Sequence, residues 1–230
     1  IISGPISRDT VLFLLNAVYF KGNWSHPFNE ADTREQPFHL ADGTEKPVPM
    51  MKLHRRFPYL ENEWFQAVKL TYGNKKMSMT VFLPKEGTDL AEFGSRLDAE
   101  QWSEWMNGFR SAEGTVELPR FTLSHEVILN DALKSLGMAT AFDPNNADFS
   151  RMADIPPNIF IANVKHKTFV EVNEKGTEAA AATVVEMGAA SAAPPARKFY
   201  MKVDRPFFFA VVEETLGAVL FMGSVYEPME

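Results

Sequence analysis

Several residue types and patterns that would point to a function are missing from this sequence. The 230 residues include no cysteine, which excludes disulfides, cysteine-based zinc sites and thiol catalysis and leaves the redox compartment open. The five histidines lie far apart and show no HExxH or similar spacing, so we expect neither a metal site nor a cofactor. No apolar run reaches the about 20 residues of a transmembrane helix; the best candidate, at 11–20, is interrupted by Asn16.

An excess of basic residues is also missing. The chain has 23 Lys and Arg against 30 Asp and Glu, a formal net charge of −7, which argues against nucleic acid or an anionic membrane as a partner. No G-x-S-x-G motif occurs, so a serine hydrolase is not supported and we expect a protein that is not an enzyme. The sequence opens on Ile1-Ile2-Ser3-Gly4 without an initiator Met or a signal-peptide pattern, and we expect the chain to be incomplete at its N-terminus.

What is present is an ordinary globular composition, 45% hydrophobic and 12% aromatic, arranged mainly in strand-like runs. The run at 10–20 is almost continuously apolar, which is typical of a strand covered on both faces. Turn signals such as Asp42-Gly43 and Gly73-Asn74 separate the shorter runs and indicate antiparallel meanders. The predicted strands are 10–20, 36–40, 47–51, 57–60, 66–72, 77–83, 115–123 (interrupted at Pro119), 158–173, 199–203, 207–212 and 218–226.

Two segments have helical periodicity. Residues 89–107 carry an apolar stripe that includes Leu90, Phe93 and Trp105. A second helix is predicted from about Ser124 to Leu136, with Gly137 at its left-handed C-terminal cap. The fold class is therefore α+β, with large antiparallel and mixed sheets and surrounding helices.

The segment 174–198 differs from the rest, because it consists mostly of small side chains between two strong strand patterns. Alanine-rich composition favours a short helix or a linker at 178–182. In a strand, however, alternate residues would share a face. The odd positions from 177 to 187 are Thr, Ala, Ala, Thr, Val and Met, while Glu178 and Glu186 fall on the even face. As a strand, this segment would bury an uncharged face and keep both carboxylates in water.

The run Glu-Lys-Gly-Thr-Glu-Ala-Ala-Ala-Ala-Thr at 174–183 closely resembles the hinge of the reactive-centre loop of inhibitory serpins. The resemblance extends along the whole chain, and it implies the serpin fold, in particular that of prokaryotic members. A serpin domain is longer, so the chain is similar to its C-terminal part, with the N-terminal helices and first strands of the main sheet missing. The other matching runs, in order, are Asn16–Trp24, Pro49–Met51, Leu118–Phe121, Val164–Lys167, Asp204–Phe207 and Leu220–Gly223.

The resemblance implies a suicide inhibitor of serine proteases, in which the cleaved loop inserts into the main sheet as a new strand. The implied partners are a target protease and a companion chain or segment that carries the N-terminal part, the protein being otherwise monomeric. The alternative is a non-inhibitory serpin with a carrier, chaperone or storage role. Such relatives tend to have bulky or charged hinge residues, and the small residues here argue against that alternative.

The usual spacing within inhibitory loops, counted from Glu174, places the reactive bond at Ala190-Ser191. A small residue there suits elastase-like or subtilisin-like proteases. Because the stretch from Ser191 to Pro206 is longer than is typical, Arg197 and Lys198 are rivals that would imply a trypsin-like target, and Met187 is a third candidate. The residues that the resemblance assigns to the hinge are Glu174, Gly176, Thr177, Glu178, Ala179, Ala180, Ala181, Ala182 and Thr183.

Four further residues match positions where the main sheet opens. Asn16 and His166 match a buried polar cluster, the shutter, although His166 alone could be an ordinary core histidine. Trp24 matches the breach, where the loop first enters, and could equally serve core packing. Arg120 matches a position that pairs with Glu174 at the base of the hinge, the alternative being two solvated surface charges.

Overall fold

The computed structural model describes residues 12–152, 159–177 and 198–229. They form two compact units, one made of residues up to Phe20 and Leu123–Val170, the other of Lys21–Thr122 and residues from Glu171 onward. Within these residues, no helix is long and apolar enough to cross a membrane. The strands are β1 Phe13–Tyr19, β2 Gly22–Asn23, β3 Arg34–His39, β4 Glu45–Glu61, β5 Phe65–Tyr72, β6 Met77–Pro84, β7 Arg110–Pro119, β8 Phe121–Ile128, β9 Asn163–Val172, β10 Gly176–Thr177, β11 Lys198–Lys202, β12 Phe207–Glu213 and β13 Ala218–Val225, and the α-helices are α1 Leu90–Ser95, α2 Ala99–Gly108 and α3 Asn130–Leu133.

The first unit is built on a three-stranded sheet in the order β1-β9-β8. β1 and β9 are parallel, in register from Phe13 opposite Asn163 to Tyr19 opposite Phe169. Asn130, at the start of α3, connects this helix to the residue before β9: its side-chain amide nitrogen donates to the Ala162 carbonyl (2.9 Å). β9 is one continuous strand whose last two residues belong to the second unit.

The second unit contains a large sheet in the order β11-β7-β4-β5-β6-β12-β13, with β3 paired to the first half of β4. β11 and β7 are parallel, and the other pairs are antiparallel, which confirms the predicted meander of β4, β5 and β6. β12 is buried along nearly its whole length. The helices α1 and α2 cover one face of the sheet, where Phe65, Phe82, Phe93, Trp105 and Phe208 form an aromatic core.

Three local predictions were wrong. The segment 89–107 forms two helices, because the Asp98 carboxylate accepts a hydrogen bond from the Gln101 amide and starts a new helix there. The runs 47–51 and 57–60 are parts of the single strand β4. The helix expected from Ser124 is strand β8 as far as Ile128, and α3 begins only at Asn130, because the sheet pairing overrides the local pattern. Gly137 has a φ of 101°, as predicted for a left-handed position.

The apolar strand β1 is not covered on both faces by the described residues, contrary to expectation. Leu15 is 44% exposed and Tyr19 is 48% exposed, and Leu14, on the opposite face from Leu15, is exposed as well. β1 pairs with β9 on one edge, and no other described strand pairs with it. An apolar strand with an open edge and two open faces tends to aggregate.

Residues 1–230 expressed alone are therefore expected to be insoluble or molten, since Leu14 and Leu15 of β1 stay exposed among the described residues. Sedimentation and calorimetry of the isolated chain would test this expectation. Leu15→Lys in the same chain should increase its solubility, whereas a sharp cooperative melt of the unchanged chain would show that the expectation is wrong.

Candidate functional site: the turn after strand β9

A tight turn follows β9, at the start of the segment that the sequence singled out. Asn173 and Gly176 exchange backbone hydrogen bonds, from the Asn173 amide to the Gly176 carbonyl (2.9 Å) and from the Gly176 amide to the Asn173 carbonyl (3.2 Å). The chain direction is therefore reversed by Gly176. Gly176 and Thr177 then pair antiparallel with Asn23 and Gly22 of β2. Gly176 thus has Asn173 on one side and Asn23 on the other.

Gly176 is required at this position for two reasons. Its φ is 137°, a backbone conformation that residues with a side chain rarely adopt. A Cβ atom there would lie 2.2 Å from the Gly22 carbonyl oxygen and 2.7 Å from the Asn23 Cα, both of them backbone atoms that cannot move aside cheaply. The turn after β9 therefore depends on glycine.

Gly176→Ala is expected to destabilise the turn. Backbone strain alone costs about 1–3 kcal/mol, and the collision of the added methyl group with β2 increases that cost. Gly87→Ala is a matched control, since Gly87 also has a positive φ, 82°, but has no atom within 4 Å of an added Cβ. Thermal unfolding at a single scan rate should show the larger decrease in Tm for Gly176→Ala. Equal decreases would mean that the contact with β2 contributes nothing.

Glu174, within the turn, is a buried carboxylate that Arg120 neutralises. It is 3% exposed, and the Arg120 Nε lies 2.9 and 2.8 Å from its two oxygens, while Nη2 lies 2.6 Å from Oε1. The Thr33 hydroxyl donates to Oε1 as well (2.5 Å). Burial alone would raise the pKa of Glu174, but the hydrogen bonds from Arg120 and Thr33 outweigh it and hold the pKa below its usual range. The predicted pairing of Glu174 with Arg120 is confirmed.

Backbone hydrogen bonds fix the chain at both Arg120 and Glu174. Arg120 lies between β7 and β8, after Pro119, and its amide donates to the Pro49 carbonyl (2.9 Å). The Glu174 carbonyl accepts from the Phe28 amide (2.9 Å). Both side chains line a cavity of about 480 Å³, together with residues that include Phe121 and Val172. The pair therefore bridges the base of β8 and the turn after β9.

Trp24 holds the same turn from the other side. Its ring stacks on Tyr72 with centroids 4.4 Å apart, and its Nε1 donates to the Asn173 carbonyl (2.9 Å). Its backbone amide donates to the Lys175 carbonyl (3.0 Å). The two interpretations of Trp24, contact with the start of the loop and core packing, are therefore compatible. Its role in opening the sheet stays a prediction.

Asn16 and His166 lie opposite each other in the pairing of β1 with β9. The His166 Nε2 is 2.9 Å from the Thr168 hydroxyl, but Asn16 is exposed and His166 is half-buried. The expectation of a buried cluster is therefore wrong for the described residues, because none of them covers Asn16. Their role as a shutter is still a prediction.

The remaining predicted site residues are placed as follows. Lys198 is the exposed first residue of β11, opposite Glu113 of β7. Among the described residues, no group of three His, Asp or Glu side chains could hold a metal ion. The residues Glu178, Ala179, Ala180, Ala181, Ala182, Thr183, Met187, Ala190, Ser191 and Arg197 lie outside the described residues.

Sequence reasoning missed Thr33 and Tyr72, which hold Glu174 and Trp24. Thr33 is 141 residues from Glu174 along the chain, and neither residue belongs to a recognisable local pattern. Their contacts arise only when the fold brings distant segments together, so the sequence carried no signal for them.

Comparison with known proteins gives one consistent result. The profile of the family described as "Serpin (serine protease inhibitor)" matches residues 1–228. Relatives include Serpin B10 of Rhinolophus ferrumequinum (35% identical; 97% of this chain, 56% of the relative) and an uncharacterized serpin-like protein of Thermococcus kodakarensis (38% identical; 100% and 53%). Plasminogen activator inhibitor 1 of Sus scrofa is 36% identical over 98% of this chain and 56% of its own length.

Solved structures agree with the sequence relatives. The native state of tengpin, a thermophilic serpin, superposes with a TM-score of 0.83 at 31% identity, over 98% of this chain and 58% of that one. Native protease nexin-1 with heparin gives a TM-score of 0.79 at 31% identity, over 96% and 58%. The chain spans a little over half the length of these relatives, and it has their fold. The chain belongs to the serpin family of serine protease inhibitors.

Proposed function

We propose that this chain is the C-terminal part of a single inhibitory serpin domain, with its reactive-centre loop at about 174–198. It acts as a suicide substrate rather than as an enzyme: a serine protease cleaves the loop, and the loop then inserts into the sheet of β1 and β9. The N-terminal part comes from a companion chain or segment, which covers the β1 side chains that the described residues leave exposed. The assembled inhibitor is otherwise monomeric.

The observation that carries the proposal is the direction of the strands around the turn. β1 and β9 are parallel neighbours, and Gly176 pairs antiparallel with Asn173, the residue that follows β9. A segment that continued from Gly176 between the two strands would be antiparallel to both. Insertion would replace one parallel ladder with two antiparallel ladders, which are slightly more stable per residue, and would bury a further strand.

The sequence pattern of the loop supports the same step. The odd positions from 177 to 187 carry no charge, whereas Glu178 and Glu186 share the even face. The inserted strand could therefore bury the odd face and leave both carboxylates in water. On β1 and β9, the pair nearest the turn is Tyr19 opposite Phe169, whose rings stack 5.8 Å apart, so these two side chains would separate first.

For the cleaved bond we propose Ala190-Ser191 and a protease of the elastase or subtilisin type. Lys198, one of the alternative positions for the cleaved bond, is held in the sheet by the pairing of β11 with β7. A protease requires an extended segment that is not paired with other strands. This geometry favours a bond nearer the middle of the loop.

The proposal is tested by incubating the complete serpin domain that contains this chain with elastase, subtilisin and trypsin. Inhibition by the proposed mechanism gives a covalent complex that survives detergent electrophoresis, and mass spectrometry of the released C-terminal peptide identifies the bond. Clipped product without complex, for all three proteases, would favour the alternative of a carrier, chaperone or storage role.

A further inference from the structure

One face of the strands β4, β7 and β11 is positively charged, in contrast to the chain as a whole. β7 lies between the other two strands, and residues that lie opposite each other in neighbouring strands share a face. The pairing gives three rows across this face: Arg56, Glu113 and Lys198; His54, Thr115 and Tyr200; Lys52, Glu117 and Lys202. We call the six side chains from the two outer strands the basic face: Lys52, His54, Arg56, Lys198, Tyr200 and Lys202.

The basic face is the side of these strands that is open to solvent. On the opposite side, Val116 of β7 and Met201 of β11 are fully buried, so that side belongs to the core. The exposed members of the basic face are Lys52, His54, Arg56, Lys198 and Tyr200. Their charged groups are therefore available to a partner.

The carboxylates in the middle strand do not cancel this charge. Glu117 is 3% exposed and lies 3.1 Å from the Lys52 Nζ, whereas Glu113 is partly exposed. Arg56 and Lys198, on either side of Glu113, make no ion pair with a described residue. Four cations thus surround two carboxylates, in a chain whose formal net charge is −7.

Tyr200 occupies the middle row of the basic face, between two cationic rows. Its side chain is 54% exposed. Tyrosine and arginine are the residue types that contribute most of the binding energy in protein–protein interfaces. A polyanion, by contrast, binds through many cations at once, and the row of Tyr200 interrupts them here. The composition of the basic face therefore favours a protein partner with an acidic surface.

The basic face lies directly after the loop that a protease is proposed to cleave. Lys198 begins β11 and is eight residues beyond Ala190, a stretch of chain that spans at most about 29 Å. A protease of about 240 residues has a radius of gyration of about 18 Å. A protease bound at Ala190-Ser191 therefore has its surface within reach of Lys198.

We propose that the basic face is a second contact surface for the target protease, and that it binds an acidic patch beside the protease's active site. Opposite charges on the two surfaces would accelerate association and fix the orientation of the protease over the loop. This inference rests on the proposed function.

The test measures association of the complete domain with elastase, subtilisin and trypsin in which alanine replaces the catalytic serine, so that no bond is cleaved. Arg56→Glu should slow association with at least one of them about threefold or more at low salt. The difference should largely vanish at about 1 M salt, where the Debye length is about 3 Å. The matched control is Arg151→Glu, because Arg151 is also exposed and without an ion pair to a described residue but lies in the other compact unit.

Two further variants test the sign and size of the charge effect. Glu113→Gln removes a negative charge from the middle of the basic face, so it should accelerate association, which damage to the sheet would not do. Arg56→Gln removes one unit of charge where Arg56→Glu changes two, and its effect should be about half as large on a logarithmic scale. It replaces Arg56→Glu if the carboxylate opposite Glu113 prevents folding.

Equal slowing by Arg56→Glu and Arg151→Glu would indicate an effect of net charge alone, and slowing that persists at high salt would indicate a structural defect. Either result overturns the inference. Immobilised heparin, a sulfated polysaccharide, tests the other class of partner. If Arg56→Glu abolishes retention on heparin and leaves association with all three proteases unchanged, the basic face is a polyanion site and the inference is wrong.

Covalent complexes with the active proteases report separately on the proposed function. If salt-sensitive binding to an inactive protease occurs and no active protease forms a covalent complex, the proposed mechanism fails while the contact surface stands. If covalent complexes form and Arg56→Glu changes neither the association rate nor its salt dependence, only the contact surface is refuted.

Discussion

Thr177→Arg is expected to leave the protein folded and cleaved at the same bond, but to turn it from an inhibitor into a substrate. Thr177 is the first residue of the uncharged odd face that would enter between β1 and β9. An arginine there would carry an unpaired charge into the sheet at a cost of several kcal/mol. Because insertion competes with hydrolysis of the acyl-enzyme, a barrier higher by only about 1.4 kcal/mol slows insertion about tenfold. The number of inhibitor molecules cleaved without trapping a protease, per complex formed, should rise by at least that factor, because it equals the ratio of the hydrolysis rate to the insertion rate.

The matched control for this change is Glu178→Arg, the neighbouring position on the even face. It introduces the same side chain, yet that side chain would stay in water, so its stoichiometry should remain close to that of the unchanged protein. The measurement is titration of a fixed amount of protease with each variant, followed by electrophoresis. A normal yield of complex from Thr177→Arg would contradict insertion of this segment.

Glu174→Lys is expected to open the turn after β9 and to produce oligomers on mild heating. The change removes a bidentate ion pair from a buried position and places a second cation beside Arg120. Breaking a buried pair costs about 3–5 kcal/mol, and we expect the lower end because Arg120 is partly exposed. A loosened turn exposes strand edges that can pair with another molecule. Size-exclusion chromatography after heating below the Tm would detect this.

Two further variants isolate the cause. Glu30→Lys makes the same change of charge near the same cavity, but the ion pair of Glu30 with Lys175 is exposed and long, at 3.4 Å, so its effect should be within about 1 kcal/mol. Arg120→Glu combined with Glu174→Lys reverses the pair and should recover part of the stability. If Glu174→Lys stays monomeric under the same heating, the pair does not hold the turn closed.

Much of this architecture could be predicted from the sequence, because local patterns and the family resemblance agreed. The β5 and β6 runs, the cap at Gly137 and the pair of Glu174 with Arg120 all follow from residues that carry a strong local or family signal. The fold class was correct for the same reason.

The failures have a common physical origin in tertiary pairing. The predicted helix after Ser124 is strand β8 as far as Ile128, because this part lies beside β9 in the sheet. Thr33 gains its importance only from a partner that is distant in sequence. The exposure of Asn16 could not be foreseen either, since an apolar strand pattern does not tell which segment covers it.

The position of Gly176 between Asn173 and Asn23 has a kinetic consequence. When a new strand joins a sheet, closing the loop normally costs entropy before the first hydrogen bond between the strands can form. Here that closure is complete in the described structure, so the proposed insertion would need no separate nucleation step. After cleavage the process would be propagation alone, one residue pair after another from Tyr19 and Phe169 toward Phe13 and Asn163. Its rate would then depend on how easily the ladder of β1 and β9 separates, and substitutions along that ladder should alter insertion in the order of their distance from the turn.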